Sequence, residues 1–306
     1  MKKRTAPLKE TLARRGVLDM LIASVLFALM GNGVYACTLL EDPVPAATVS
    51  FIRVMVNLIV VLIPAFWTKD PRLLFGDLRP SLWLRGFFGG TALMLSFMTI
   101  QRIGAGESSF LTATNGVWIA LLSPFLLQQK NRLIDGIAVI GAVIGLYLLL
   151  HPDRHLADPL GRWLGLLSAF LMALAYLMVA RAGRSNTPTT IIFYFCLMSL
   201  PVHALWFWAE GWQTPQSLLA WTLSLLAGAA GSLAQFFLTR AYQRGPATLI
   251  STVGSLSPAL SMGLSMVLFE LRPDNLGLLG CGLILVSGLL LPWLRTRPKG
   301  PFSPPP

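Results

Sequence analysis

The sequence predicts an all-α polytopic membrane protein, its ten transmembrane helices arranged as two inverted five-helix repeats. Three observations point there. Of 306 residues, 55% are hydrophobic and only 12% charged, where a soluble domain carries about 25% charged residues. The apolar residues gather into ten segments, each near the ~20 residues a helix needs to cross a hydrocarbon core. The stretch from Leu226 to Glu270 also repeats, in weaker form, the plan of residues 86–130. In each, two apolar runs meet at a tight turn, Gly104-Ala105-Gly106 in the first and Arg240 to Pro246 in the second. A shift of about 140 positions sets Leu93 on Leu233, Phe97 on Phe237, Thr99 on Thr239 and Thr112 on Thr252, as an internal duplication would.

Taken in order, residues 1–16 form a basic tail with Lys2, Lys3, Arg4, Lys9, Arg14 and Arg15. The first repeat, 17–151, holds segments at 17–39, 46–67, 82–102, 107–128 and 133–151. The second, 152–294, holds segments at 161–181, 190–209, 217–240, 247–269 and 275–294. Residues 295–306 are a basic, Pro-rich tail. Alternating the loops with the N-terminus inside puts 19 of the 24 Lys and Arg residues inside. Those include Lys69, Arg72 and Arg79 before the third segment and Arg85 at its opening. Four, Arg102, Arg154, Arg162 and Arg272, fall outside, and Arg53 lies within a span. That bias predicts an inner-membrane protein with both termini cytoplasmic. Five crossings per half start the second half on the opposite side, so the repeats must be inverted, as in carriers that alternate access around a central site.

The net charge of +11 would suggest nucleic acid in a soluble protein. Here it reads as basic cytoplasmic loops, with no nucleic-acid partner. Cys37, Cys196 and Cys281 share no metal or disulfide spacing and read as small packing residues. No nucleotide-binding loop, metal cluster or hydrolytic triad is present. The sequence therefore predicts no catalytic residues, no metal and no cofactor. The expected partners are a small-molecule substrate and the lipid bilayer, with self-association left open.

Several local patterns resemble the EamA-type ten-helix permeases of the drug/metabolite transporter superfamily. The second half carries Gly231-x-x-x-Gln235-x-x-x-Thr239-x-Ala241-Tyr242-x-x-Gly245-Pro246-Ala247, then Ser257-Pro258 and Phe269-Glu270. The first half carries Phe51-Ile52-Arg53 and Leu84-Arg85-Gly86, and Pro188 with Tyr194-Phe195 opens the seventh segment. The resemblance spans about residues 17–294 and implies a metabolite carrier, often an exporter. It also implies a central cavity lined mainly by transmembrane helices 1, 3, 4, 6, 8 and 9. The chain departs from the family pattern at Tyr35, Gly116, Gln129 and Gly254-Ser255.

Ionisable groups at membrane depth are the first functional candidates. Arg53 suits a planar anion such as a carboxylate or phosphate, and equally suits helix-end carbonyls; the family places its helix at the periphery. Glu107 is expected to favour a helix N-terminus, Glu270 to pair with Arg272, and His203 to sit at the interface beside Trp206 and Trp208. Neutral polar and aromatic residues on the family's cavity helices are the expected substrate contacts: Asn32, Tyr35, Gln101, Asn115, Trp118, Tyr176, Gln235 and Ser257. Their alternative role is interhelical hydrogen bonding, about 0.6 kcal/mol on average. Pro258 lacks an amide hydrogen and clashes with the carbonyl of Gly254, so Gly254 to Pro258 reads as a hinge; Pro124 is the expected counterpart in the first half. Gly141-x-x-x-Gly145 and Gly277, Gly280, Gly282 and Gly288 read as scaffold packing.

The function expected is a secondary transporter (permease) moving a small metabolite, such as an amino acid or related compound, outward by alternating access. Uptake is the alternative within transport. A membrane enzyme or signalling protein is the alternative outside it.

Overall fold

The computed structural model describes residues 5–68, 72–128, 133–150, 158–271 and 274–296. Lys69, Gln129, Lys130, Arg132, Arg154, Arg272, Arg297 and Lys299 lie outside them, so neither that part of the loop-charge argument nor the expected Glu270–Arg272 pair is described. Thirteen helices occur among the described residues. The first half comprises α1 (Thr5–Thr38), α2 (Ala46–Thr68), a single turn α3 (Arg72–Phe75), α4 (Pro80–Ile103), α5 (Ala105–Ala113), α6 (Asn115–Leu127) and α7 (Leu133–Leu150). The second comprises α8 (Pro159–Ala182), α9 (Pro188–Glu210), α10 (Leu218–Arg244), α11 (Ala247–Gly254), α12 (Leu256–Phe269) and α13 (Asn275–Thr296). Among the described residues, seven helical stretches are long and apolar enough to cross a bilayer. They are Leu12–Thr38, Ala46–Trp67, Ala105–Leu127, Pro159–Ala182, Pro188–Glu210, Leu218–Arg244 and Ala247–Phe269. The chain is thus an all-α, multi-pass membrane protein.

Helix starts follow local chemistry. Pro80, Pro159 and Pro188 occupy the first turns of α4, α8 and α9, where a missing amide hydrogen costs nothing. Asp158 caps α8 by accepting from the amides of Leu160 and Gly161, and Ser217 caps α10 through Ala220. Two apolar stretches are broken midway, α5/α6 at Thr114 and α11/α12 at Ser255. Hydroxyls surround both breaks and bond back to the chain: Thr112 to Ser109 O and Thr114 to Leu111 O in one, Ser251 and Thr252 to Thr248 O in the other. Such back-bonding bends helices and satisfies carbonyls freed inside a membrane. The second break falls in the expected weak segment. The first does not fall at Pro124, which lies within α6. Low-propensity Thr114, Asn115 and Gly116 interrupt the helix ten residues earlier instead.

α1 packs along α10 and α4 along α8. α2 crosses α10 while α9 crosses α4; α1 lies on α12 while α8 lies on α6; α2 meets α9, and α7 meets α13. Gly141 of α7 sits directly on Ser287 of α13, the close approach expected of small residues between membrane helices. Side-chain bonds define two ends of the bundle. At the proximal end, Asn186 after α8 donates to Asp77 before α4, and Gln243 of α10 donates to Asn186 O. At the distal end, Gln101 of α4 accepts from the Ala46 amide and Thr48 donates to Gln213 O. The outer faces carry Phe66, Trp67, Phe125, Trp208, Leu218 and Val267, all more than 70% exposed. In a membrane protein that belt faces lipid rather than marking a docking patch.

Two residues lie deeper in the bundle than the charge count and the neighbouring tryptophans suggest. Arg85, counted with the inside charges although it opens the third segment, lies in the second turn of α4, 2% exposed, with its guanidinium 4.8 Å from the Phe195 ring centroid. His203 is fully buried between α9 and α2. Its Nδ1–H donates to Ser199 O at 2.8 Å, which leaves Nε2 to accept from the Ser50 hydroxyl at 2.9 Å. The three cysteines are buried and free.

Candidate functional site

A cavity of about 120 Å³ lies where the two halves meet. Its walls come from α1, α2, α4, α5, α6, α8, α9, α10, α11 and α12. Apolar side chains, among them Phe27, Leu93, Ile100, Phe195 and Leu238, make up much of the wall and leave the polar groups to set its chemistry.

Arg53 enters from α2 and is 4% exposed. Glycines at 228 and 231 of α10 let α2 approach closely enough for it to reach in. Its guanidinium carbon lies 5.8 Å from the ring centroids of both Phe27 and Phe97, and its Nη2 donates to Gln235 Oε1 at 3.5 Å. Arg85 enters from α4 against Phe195; Gly89 leaves room for its guanidinium, while Gly86 lets α9 approach at Tyr194 and Met198. A centrally placed arginine costs about 3 kcal/mol on insertion scales, so two in one cavity are an expensive feature. Cation–π contacts recover about 0.5–2 kcal/mol each. Facing them, Tyr176 and Tyr242 stack at 5.1 Å with planes 33° apart. Asn115 lies at the start of α6, donating to Thr112 O at 2.5 Å and touching Met172 Sδ at 3.8 Å. Gly254, Ser255, Ser257 and Pro258 bring the α11/α12 break to the cavity wall.

The structure therefore gathers Arg53, Asn115, Tyr176, Gln235, Ser257, Pro258 and Gly254 around one space. It does not bring the other four expected contacts there. Asn32 is buried between α1 and α12, donating to Ser261 O and accepting from the Ser265 hydroxyl at 2.7 Å. Tyr35 packs edge-on against Phe269, 5.0 Å between centroids. Gln101 holds the start of α2 and borders a separate distal hollow of about 420 Å³. Trp118 packs on Phe170 and is 38% exposed. Helix membership alone suggested these four; their angular position on the helix points them away from this cavity. Arg85 and Tyr242 are cavity residues that sequence reasoning did not assign. The run Arg85-Gly86-Phe87-Phe88-Gly89-Gly90 held a usable signal, since a glycine at i+4 of a helical arginine makes room for its side chain.

Ion pairs close both ends. Asp19 of α1 accepts from Arg244 Nη1 at 2.6 Å and lies 3.7 Å from Arg240 Nη2. At the distal end Arg102 pairs with Asp158 at 2.5 Å and Glu107 with Arg162 at 3.2 Å. The hydrogen bond from Arg102, joined by the Gly161 and Leu160 amides, holds the Asp158 carboxyl below its usual range. Among the described residues no group of His, Cys, Asp and Glu side chains is arranged to hold a metal ion.

A bundle of long apolar helices around a small polar cavity, with ion pairs at both ends, belongs to the class of multi-pass carriers of small molecules. The chain matches the EamA-like transporter family over residues 14–151 and again over 159–292. It belongs to that family, within the drug/metabolite transporter superfamily, and is a transporter rather than an enzyme. It is 25% identical over 280 residues to the "Pseudopaline exporter CntI" of Pseudomonas aeruginosa strain UCBPP-PA14, covering 90% of this chain and 98% of that one. It is 25% identical over 297 residues to the "Riboflavin transporter" of Vibrio cholerae, covering 92% and 94%. A crystal structure 18% identical in sequence superposes with a TM-score of 0.70 over 92% of this chain and 99% of the other, a likeness of fold.

Proposed function

We propose that the chain is a secondary transporter that moves a small metabolite out across the inner membrane by alternating access, through ten spans in two inverted repeats, 17–151 and 152–294. The observation that carries this reading is the position of the cavity between the two halves, lined by both. The packing supports inversion. Exchanging α1 with α8, α2 with α9, α4 with α10, α5/α6 with α11/α12 and α7 with α13 turns each principal helix contact into another or into itself. The breaks at Thr114 and Ser255 are 141 positions apart, in step with the sequence shift. The twofold match of the family supports the same division. Ten crossings with both termini cytoplasmic follow from the charge bias of the loops.

Asn115, Tyr176, Gln235 and Ser257 are the proposed substrate contacts, and Gly254 to Pro258 the proposed hinge. Outward movement is supported by the exporter of Pseudomonas aeruginosa. Uptake is the second reading, since the similar riboflavin transporter of Vibrio cholerae is not described as an exporter. Two measurements test the proposal. Reporter fusions at Asp42 and Gln213 should report the outside, with fusions at Lys130, Arg184 and the C-terminus inside; an outside C-terminus sinks the inverted arrangement. Metabolite pools of cells with and without the protein, measured in both compartments, should differ. Gln235→Leu and Asn115→Leu should each abolish that difference at near-normal membrane abundance. If both variants behave as wild type, the cavity assignment is wrong.

A further inference from the structure

The cavity's polar groups share one sign. Its walls contain two arginines and no Asp or Glu. Among the described residues no carboxylate lies within 4 Å of Arg53 or Arg85, although five other close ion pairs occur in the bundle. Each guanidinium carries five N–H donors. Arg53 engages one, at 3.5 Å with Gln235, and Arg85 engages none among the described residues. Ring faces of Phe27, Phe97 and Phe195 lie against the guanidinium carbons but accept no in-plane hydrogen bond.

The unpartnered buried polar atoms tell the same story. Among the described residues six side-chain nitrogens or oxygens are buried without a partner: Arg53 Nε, Arg85 Nε, Gln235 Nε2, Tyr242 OH, Ser108 Oγ and Asn57 Nδ2. The first five belong to cavity-lining residues; the three nitrogens only donate, and the two hydroxyls can donate as well as accept. A buried donor without an acceptor is costly, and a cluster of donors around two cations is complementary to oxygen lone pairs carrying negative charge. A cationic substrate would meet two positive charges with no acid to offset them.

We propose that the cavity recognises a small organic dianion, its carboxylate or phosphate oxygens held by the guanidiniums of Arg53 and Arg85. Gln235 Nε2 and the Tyr242 hydroxyl supply neutral donors beside them. This deepens the transport reading and rests on it. Arg53 and Arg85 stand on α2 and α4, while Gln235 and Tyr242 stand on α10, so a bound dianion bridges the two halves. It also neutralises a doubly charged cavity, which makes loaded passage through the membrane electrostatically easier than empty passage.

The test uses the full chain purified in detergent and follows its thermal unfolding. The probes are two fractions of a metabolite extract, one retained and one unretained by an anion exchanger, with succinate alone and inorganic phosphate alone at matched ionic strength. The retained fraction should raise the midpoint by a few degrees through linkage, and the unretained fraction should not. The shift should vanish in Arg85→Gln and Arg53→Gln and persist in Arg79→Gln, which alters an exposed residue outside the cavity. Arg85→Lys, which keeps the charge without the fork, should retain a reduced shift and covers the case in which Arg85→Gln fails to accumulate. A response to succinate alone identifies carboxylate, and a response to phosphate alone identifies a phosphoryl group. Stabilisation by the unretained fraction alone, no shift from the retained one, or a full shift in both Gln variants overturns the proposal. Transport fails separately: if no metabolite pool differs between cells with and without the protein, the carrier reading falls, whatever binds in detergent.

Discussion

Gly231→Ala probes the cavity without removing any of its groups. A β-carbon at position 231 would lie 2.6 Å from Arg53 Nε, 3.0 Å from Arg53 Cδ and 2.7 Å from Met30 Sδ. Ordinary contact begins near 3.4 Å, so Arg53 must withdraw by roughly 0.8 Å. Its bond to Gln235, already 3.5 Å, cannot survive that movement. Stability changes little, because overpacking costs about 1–3 kcal/mol while replacing a mid-helix glycine returns up to about 1 kcal/mol. The net is a loss of about 0–2 kcal/mol. Function should change more. If Arg53 holds a substrate oxygen, losing one charged hydrogen bond, about 1.5–3 kcal/mol, lowers apparent affinity about 10- to 100-fold. Gly228→Ala is the matched control. Its β-carbon would meet the Arg53 Cα and Val56 Cγ2 at 3.3 Å, pressing on the helix contact and not on the guanidinium. Transport titrated against substrate concentration, with unfolding in SDS as the stability measure, separates the two effects. Unchanged apparent affinity in Gly231→Ala, or an equal loss in Gly228→Ala, would refute the reasoning.

Three further outcomes follow from the same structure. Pro258→Ala should join α11 to α12 and slow turnover more than it weakens binding, since it biases one end state; normal turnover with unchanged binding would make the break static. His203→Leu should cost between about 0.6 kcal/mol, the average intramembrane hydrogen bond, and about 3 kcal/mol, a buried hydroxyl left unpaired, because Ser50 loses its partner. SDS unfolding of that variant beside Ser50→Ala and the double variant reads the coupling, and strict additivity would deny the bond. For Asp77, burial alone would raise the carboxyl. Hydrogen bonds from Ser185, Asn186 and the Arg79 amide, with the Arg79 charge, hold it below its usual range. A depressed native value stabilises the folded state in full above the unfolded pKa, about 3.9, and loses that contribution as pH falls through the native value. The stability gap between wild type and Asp77→Asn should therefore be constant from neutral pH to about pH 4 and shrink below it; a gap that grows on acidification would reverse the assignment.

The membrane character was legible because it is written in composition; the proposed pairing of the halves rests on a shift of about 140 positions that aligns two turns. The helix break at Ser255 was legible from Pro258, whose missing amide acts on its own chain. Thr114 was harder: no proline marks it, and its cause lies in hydroxyls that bond back only once the helix exists. Residue type on a helix leads to the cavity only in part. Gln235 and Asn115, chosen that way, line it, but Asn32 has the same chemistry and faces α12. A sequence gives which helix a residue occupies, and only packing gives which way it faces. Arg85 was hidden for a related reason, since charge near a segment boundary reads as loop. Asp19 was hidden by distance, its partner standing 225 positions away.

The ion pairs at the two ends are alike in position and unlike in surroundings. Asp19 and Asp158, and likewise Arg102 and Arg244, fall close to the same repeat shift. Yet the Asp19 side chain is only 7% exposed and faces two arginines, whereas Arg102 and Asp158 are 40% and 30% exposed. Dissolved electrolyte screens exposed charges over about 8 Å at physiological ionic strength and about 3 Å at 1 M, and reaches buried ones far less. Exposed pairs also contribute at most about 1 kcal/mol to begin with. Added salt thus weakens the distal ion pairs while leaving the proximal ones nearly intact, so the ionic strength of the surrounding solution decides how unequally the two ends are held.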